Sequence, residues 1–329
     1  MNSKARMAIG LVIAGAVAVA VVVVLRADVT GRGGSGLGED YQYDREEFAH
    51  VPPELIRYRE ARRVELAFDE PRGLALGPDG RLFVAGDRAI HVFDPAGQRV
   101  DEIALADVPR CLDLSPDGSL YVGMKDHVEV YTRDGTRRAS WADRGSRAYI
   151  TSVAAGADDV FVADAGNREV VRYDTRGEVI GVLGRKDPSK GVPGIVVRSY
   201  HLDVAIEPHG FLWVSNPGRR AMEAYSFRGY LETEWGTSAQ TIEGFCGCCN
   251  PTDFAILPDG RFVTSEKGIP RVKVYTAAGE LDAVVAAPHQ FDKDVVGLDL
   301  EADPQGNILV LDPMARAVRV FEPKSEDED

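Results

Sequence analysis

Residues Val160 to Asp174 read VFVADAGNREVVRYD. Two β-branched and aromatic runs flank Ala165-Gly166-Asn167-Arg168, whose glycine and asparagine suit a tight turn. The stretch therefore predicts a β-hairpin, with Asp164 and Asn167 placed to hydrogen-bond the turn. Just upstream, Ala157-Asp158-Asp159 predicts a second turn, and an earlier apolar run supplies another strand.

The same order recurs along the chain. Turns at Pro78-Asp79-Gly80, Pro116-Asp117-Gly118, Pro208-His209-Gly210, Pro258-Asp259-Gly260 and Pro304-Gln305-Gly306 each precede a strand-like segment: RLFVAG, SLYVGM, FLWVSN, RFVTSE and NILVLD. A further strand in every block ends in an aromatic: Phe93, Tyr131, Tyr173, Tyr225, Tyr275 or Phe321. The repeat of roughly 38 to 51 residues matches four-stranded propeller blades. Val160–Asp174 resembles the NHL repeat, with weaker copies from Pro71 to Phe321. That resemblance implies an all-β, six-bladed β-propeller of NHL type. It says little of function, because such propellers host both binding modules and enzymes.

Blocks one to five supply four strands each, but the sixth ends after three, near Glu322. Arg62 to Phe68, RRVELAF, is a surplus strand before the first block. It is expected to close blade six, placing the propeller at residues 54–322, with 323–329 as an acidic tail. A short helix starting near Glu54 is the competing reading of this segment.

Met7 to Leu25 is a run of 19 uncharged, mostly apolar residues, long enough at about 28 Å to cross a hydrocarbon core. Lys4 and Arg6 precede it, so residues 1–6 are expected in the cytoplasm and the propeller outside, in a periplasm or at a cell surface. A single-pass anchor is thus predicted at 7–25, with a flexible linker at 26–53 that includes GRGGSGLGED. A cleaved signal peptide is the alternative. The net charge of −14, with no basic block, excludes a phosphate-backbone partner and hence nucleic acid.

Only four cysteines occur, and three crowd into EGFCGCCN, Glu243 to Asn250. Counting back seven residues from each first-turn glycine gives Gly73, Cys111, Asp203, Asp253 and Asp299, with Ser152 in the third block. These residues are expected to ring one mouth of the channel. Blades two and five face one another, so a loop folded inward over the axis would join Cys111 to Cys246, Cys248 and Cys249. Such thiolates suit an iron–sulfur cluster, zinc or copper(I), although C-x-C-C is not a usual spacing for them. Disulfides, favoured outside the cytoplasm, and reactive free thiols are the alternatives. Asp203, Asp253 and Asp299 form a second candidate set, for calcium. Arg110, Tyr149, Ser152, Arg198, Tyr200 and His201 are expected to line a pocket on the same face.

Three functions follow as expectations. One is a tethered propeller with a thiolate metal or redox centre. Another is a non-catalytic scaffold for a protein or small-molecule ligand, with the cysteines in disulfides. The third is a lactonase-like or lyase-like enzyme using a divalent cation. No G-x-S-x-G, H-E-x-x-H or P-loop motif is present to name a catalytic centre.

Overall fold

The computed structural model describes residues 48–239, 241–247 and 249–325. The anchor segment 7–25, most of the linker, Cys248 and residues 326–329 lie outside the described residues. No helix among the described residues is long and apolar enough to cross a membrane.

Six four-stranded antiparallel sheets are arranged as blades. Their inner strands are Pro71–Leu76, Cys111–Leu114, Ile150–Ala155, Val204–Ile206, Asp253–Ile256 and Asp299–Ala302. Each packs against the next, and the last returns to the first, so the ring is closed. The opening hairpin is present as expected: Asp159–Asp164 pairs with Glu169–Asp174, from Asp159 opposite Asp174 to Asp164 opposite Glu169. Asp164 accepts from the Asn167 backbone N–H at 3.0 Å and from its side-chain amide at 2.7 Å.

The Pro-Asp-Gly turns work through their glycines. Gly80 donates to the Gly77 carbonyl at 2.8 Å and has φ = 77°, a left-handed value that L side chains rarely adopt. The third blade lacks this glycine because its turn is one residue shorter: Gly156 N–H bonds directly to the Asp159 carbonyl.

Apolar residues collect in the seams between blades rather than in one central core. Phe83, Ile90, Leu112 and Val122 fill the wedge between blades one and two. Phe161, Leu202, Val214 and Tyr225 fill the one between three and four. A second strand is covered on both faces by neighbouring blades, so segments such as Leu82–Gly86 and Ile308–Asp312 are buried throughout. This double coverage explains their nearly continuous apolar sequences. The fourth strand of blade one, Arg99–Ala104, is exposed apart from Ile103, whereas that of blade five, Leu281–Ala286, is mostly buried.

Closure joins the two ends of the domain, with a correction to its boundary. The closing strand is Tyr58–Glu65, not Arg62–Phe68, and pairs antiparallel with Ala317–Pro323 in blade six. A bulge between Glu60 and Arg62 lets Tyr58 and Val64 both bury. Leu66 and Phe68 look like a continuation of its alternation, but they cross the seam and pack against Leu74 and Val84 of blade one. The alternative helix reduces to a single 3-10 turn, Pro53–Leu55.

The linker also ends earlier than the sequence suggests. Val51 packs on Val284 and Ala287 of blade five, and the Phe48 carbonyl accepts from Arg271.

Candidate ligand-binding mouth of the channel

Inner strands have one edge toward the channel, and its backbone N–H groups need acceptors. The mouth residues provide them by reaching to the following blade. Ser152 Oγ accepts from Val204 N–H at 3.3 Å, and Asp203 Oδ2 from Phe254 N–H at 2.9 Å. Asp253 Oδ1 accepts from Leu300 N–H at 2.9 Å, and Asp299 Oδ2 from Leu74 N–H at 2.7 Å. Ser152, Asp203, Asp253 and Asp299 thus line one cavity, and each stitches its blade to the next.

A second acidic tier lies two residues deeper. Asp113 Oδ2 accepts from Ala155 N–H at 2.8 Å, and Glu301 accepts from Leu76 N–H. The sequence reading missed both, although strand alternation points to them: two steps from Cys111 and from Asp299 return to the channel side.

These five carboxyls line a channel cavity of about 630 Å³. Arg72 and Arg110 also line the cavity, but among the described residues no arginine or lysine pairs with any of the five. Burial pushes Asp203 up to about 6, and burial together with the Asp203 charge pushes Asp299 to about 7. Asp113 also rises to about 7 through burial. Asp253 rises well above the carboxylate range from burial and from the charges of Asp203 and Asp299, and it hydrogen-bonds the Asp299 carboxyl. Two such neighbours share a proton more readily than they both ionise.

Above the acids, the rim is partly aromatic. Arg110 donates to Tyr149 Oη at 2.9 Å and covers its ring at 4.9 Å, while Tyr149 stacks on Tyr200 at 4.3 Å. His201 also lines the cavity; burial and the nearby Lys267 charge lower its pKa to about 4, so the imidazole is neutral at ordinary pH. Of the expected pocket residues, Arg110, Tyr149, Ser152, Tyr200 and His201 line the cavity. Arg198 is exposed and does not, because its loop is held by Val192, Ile195 and Val197 in the seam between blades three and four.

The polar residues that end the second strands serve the connections. Asp87 accepts from Asp69 and Glu70 N–H, Asn216 from Val196 N–H and Asp312 from Ala315 N–H.

Cys111 and Cys246 do not come together as expected. Cys111 does sit at the mouth, but its sulfur turns into the seam toward blade three, between Gly123 and Ile150. Burial and the charges of Asp299 and Asp203 push this thiol well up. Cys246 instead lies beside Glu266, with Sγ 3.7 Å from Oε2, near Arg271 and Lys273. The cysteine loop is drawn outward, not over the axis. Phe245 is buried with Trp213, Met222 and Tyr275 in the seam between blades four and five, and Lys273 Nζ donates to the Ile242 and Gly244 carbonyls at 2.9 and 2.8 Å. Arg220 further bonds the Gly247 carbonyl at 2.6 Å. Among the described residues no group of three or more Cys, His, Asp or Glu side chains is arranged to hold a metal ion. Cys111 and Cys246 are unbridged.

No family model matches the chain. No curated protein matches it either. Solved propellers do. A streptogramin B lyase structure superposes with a TM-score of 0.60 at 11% identity, covering 82% of this chain and 99% of the other. An inactive histidine-to-alanine variant of virginiamycin B lyase from Staphylococcus aureus with quinupristin gives 0.55 at 11%, covering 81% and 100%. The WD40 propeller domain of Doa1 gives 0.56 at 14%, covering 78% and 80%. The chain is a six-bladed propeller. At these identities the likeness establishes the fold alone, since unrelated functions share such scaffolds.

Proposed function

We propose that this protein is a binding propeller, tethered through the apolar segment Met7–Leu25, that takes a positively charged ligand group at the channel mouth. The supporting observation is the convergence of Asp203, Asp253 and Asp299 from three consecutive blades on one cavity, where among the described residues no arginine or lysine pairs with them. Each carboxyl uses oxygen for a backbone N–H, and a ligand cation would neutralise the charge that burial now suppresses. The four-thiol centre is not part of this reading, because Cys111 and Cys246 occupy different surroundings. Turnover is not part of it either: His201 is the histidine at the mouth, and a pKa of about 4 makes it a weak base.

Titration calorimetry of the soluble region with calcium chloride and, separately, spermidine tests the reading. At least one cation should bind at pH 8, release protons in doing so, and weaken by about tenfold or more at pH 5. Asp253→Asn combined with Asp299→Asn should abolish the signal. Absence of binding by either cation, or unchanged binding by the double variant, overturns the proposal.

A further inference from the structure

The rim carries an apolar signature that the acidic floor does not require. Tyr200, Val296 and Met314 are 61%, 51% and 56% exposed, and all three line the cavity. Large apolar side chains left in water around a concave site mark a binding surface more often than scattered single ones do. Their placement is also ordered. Tyr149 and Tyr200 enter blades three and four, and stack as a shelf on that side. Val296 enters blade six, and Met314 lies in the turn between its strands Ile308–Asp312 and Ala317–Pro323. Blades three and six are opposite in a six-membered ring, so an aromatic lip faces an aliphatic one across the acids.

Resting on the binding function proposed above, we infer that the ligand is a small organic amine: an ammonium group held by the Asp203, Asp253 and Asp299 carboxyls, carried on an apolar or aromatic body gripped between Tyr200 and the Val296–Met314 lip. A bare metal ion would use the floor and ignore both lips. A strongly hydrated cation would also leave these apolar surfaces wet. An aryl-alkyl amine instead buries the exposed Tyr200 face while its charge meets the acids, so one molecule satisfies both features. The cavity of about 630 Å³ is of a size that holds such a compound. Arg110 braces Tyr149 through its hydroxyl and its ring.

The test compares phenethylamine, ethylamine and 2-phenylethanol by calorimetry at pH 8, alongside the calcium and spermidine titrations. Phenethylamine should bind at least tenfold more tightly than ethylamine, and 2-phenylethanol should bind at least tenfold more weakly than phenethylamine. Tyr200→Ala and Met314→Ser sit on exposed positions and should preserve the thermal melt. Each should weaken phenethylamine by about three- to tenfold and leave ethylamine and calcium unchanged. If phenethylamine and ethylamine bind alike, or both lip variants bind phenethylamine as the native protein does, the inference fails. Calcium or spermidine binding in that case leaves the cationic mouth standing, whereas loss of every cation removes both readings.

Discussion

Gly123 shows how closely single residues set the mouth. A Cβ added there would meet Cys111 Sγ at 2.4 Å and Ile150 Cγ2 at 2.9 Å, so no methyl fits. Gly123→Ala should cost about 1–3 kcal/mol by overpacking, and Cys111→Ala in the same chain should recover part of it. Urea denaturation of both single variants and the pair would check this coupling. The same thiol that was expected to hold a metal thus fills a hole in a seam. Asp253 gives a second prediction. Burial raises the folded pKa of Asp253 and Asp299 above the ordinary carboxylate value near 4, with Asp299 at about 7. The folded protein therefore holds protons that the unfolded chain has released. Their stabilising effect is complete below about pH 4 and is lost as pH rises through each folded pKa, about 7 for Asp299 and well above the carboxylate range for Asp253. Asparagine imitates the protonated carboxyl, accepting from Leu300 and donating to Asp299. Asp253→Asn should accordingly match the native protein at pH 5 and exceed it by about 1–3 kcal/mol at pH 8, read from thermal melts without ligand. A site more stable without its charge is what the proposed cation-binding mouth requires, since stability is given up where a ligand is to be held.

At the scale of elements, the loop before blade five is organised by buried charge. Arg271 and Lys273 are fully buried with Glu266: Arg271 Nε meets Glu266 Oε2 at 2.9 Å, and Lys273 pairs with the other oxygen. Lys273 also sits over Phe245 and Tyr275 at 5.1 and 5.0 Å. Without Lys273, Glu266 keeps its Arg271 partner but the Ile242 and Gly244 carbonyls lose their donor, so Lys273→Met should destabilise by about 1–3 kcal/mol. It should also free the Ile242 and Gly244 carbonyls, making the 237–250 loop the first site of limited proteolysis; unchanged cleavage would show that the lysine does not pin it. In sequence this cluster was hard to read. Arg271 and Lys273 alternate in a segment of ordinary amphipathic appearance, RVKVY. Alternation says that both side chains share a face, but not that a neighbouring loop covers it. The opposite holds for Asp113 and Glu301, which the alternation rule locates once the inner strands are known.

The ring as a whole depends on its join. Tyr58–Glu65 supplies the outer strand of blade six, and Arg319 secures it through Glu60 at 2.6 Å. A chain beginning at Leu66 would leave the Ala317–Pro323 edge unpaired and expose the seam around Val64. It should form oligomers on size-exclusion chromatography and lose the sharp melt retained by a chain beginning at Glu46. A monomeric, equally cooperative melt from the shorter chain would show that closure is dispensable.

Repetition alone determined the architecture: six turns at blade spacing, each followed by a β-rich strand, admit few other arrangements, and the missing strand at one end matches the surplus at the other. Ring position followed as well, so Cys111, Ser152, Asp203, Asp253 and Asp299 could be assigned to one mouth from counting. Only the tertiary structure decided where side chains turn after reaching that mouth. Cys111 points into a seam because Gly123 leaves room there, and the cysteine loop swings outward because Lys273 and the Phe245 pocket draw it away from the axis. Strand periodicity is a local property carried by neighbouring residues, whereas the path of a long loop is set by the contact partners it finds across the ring.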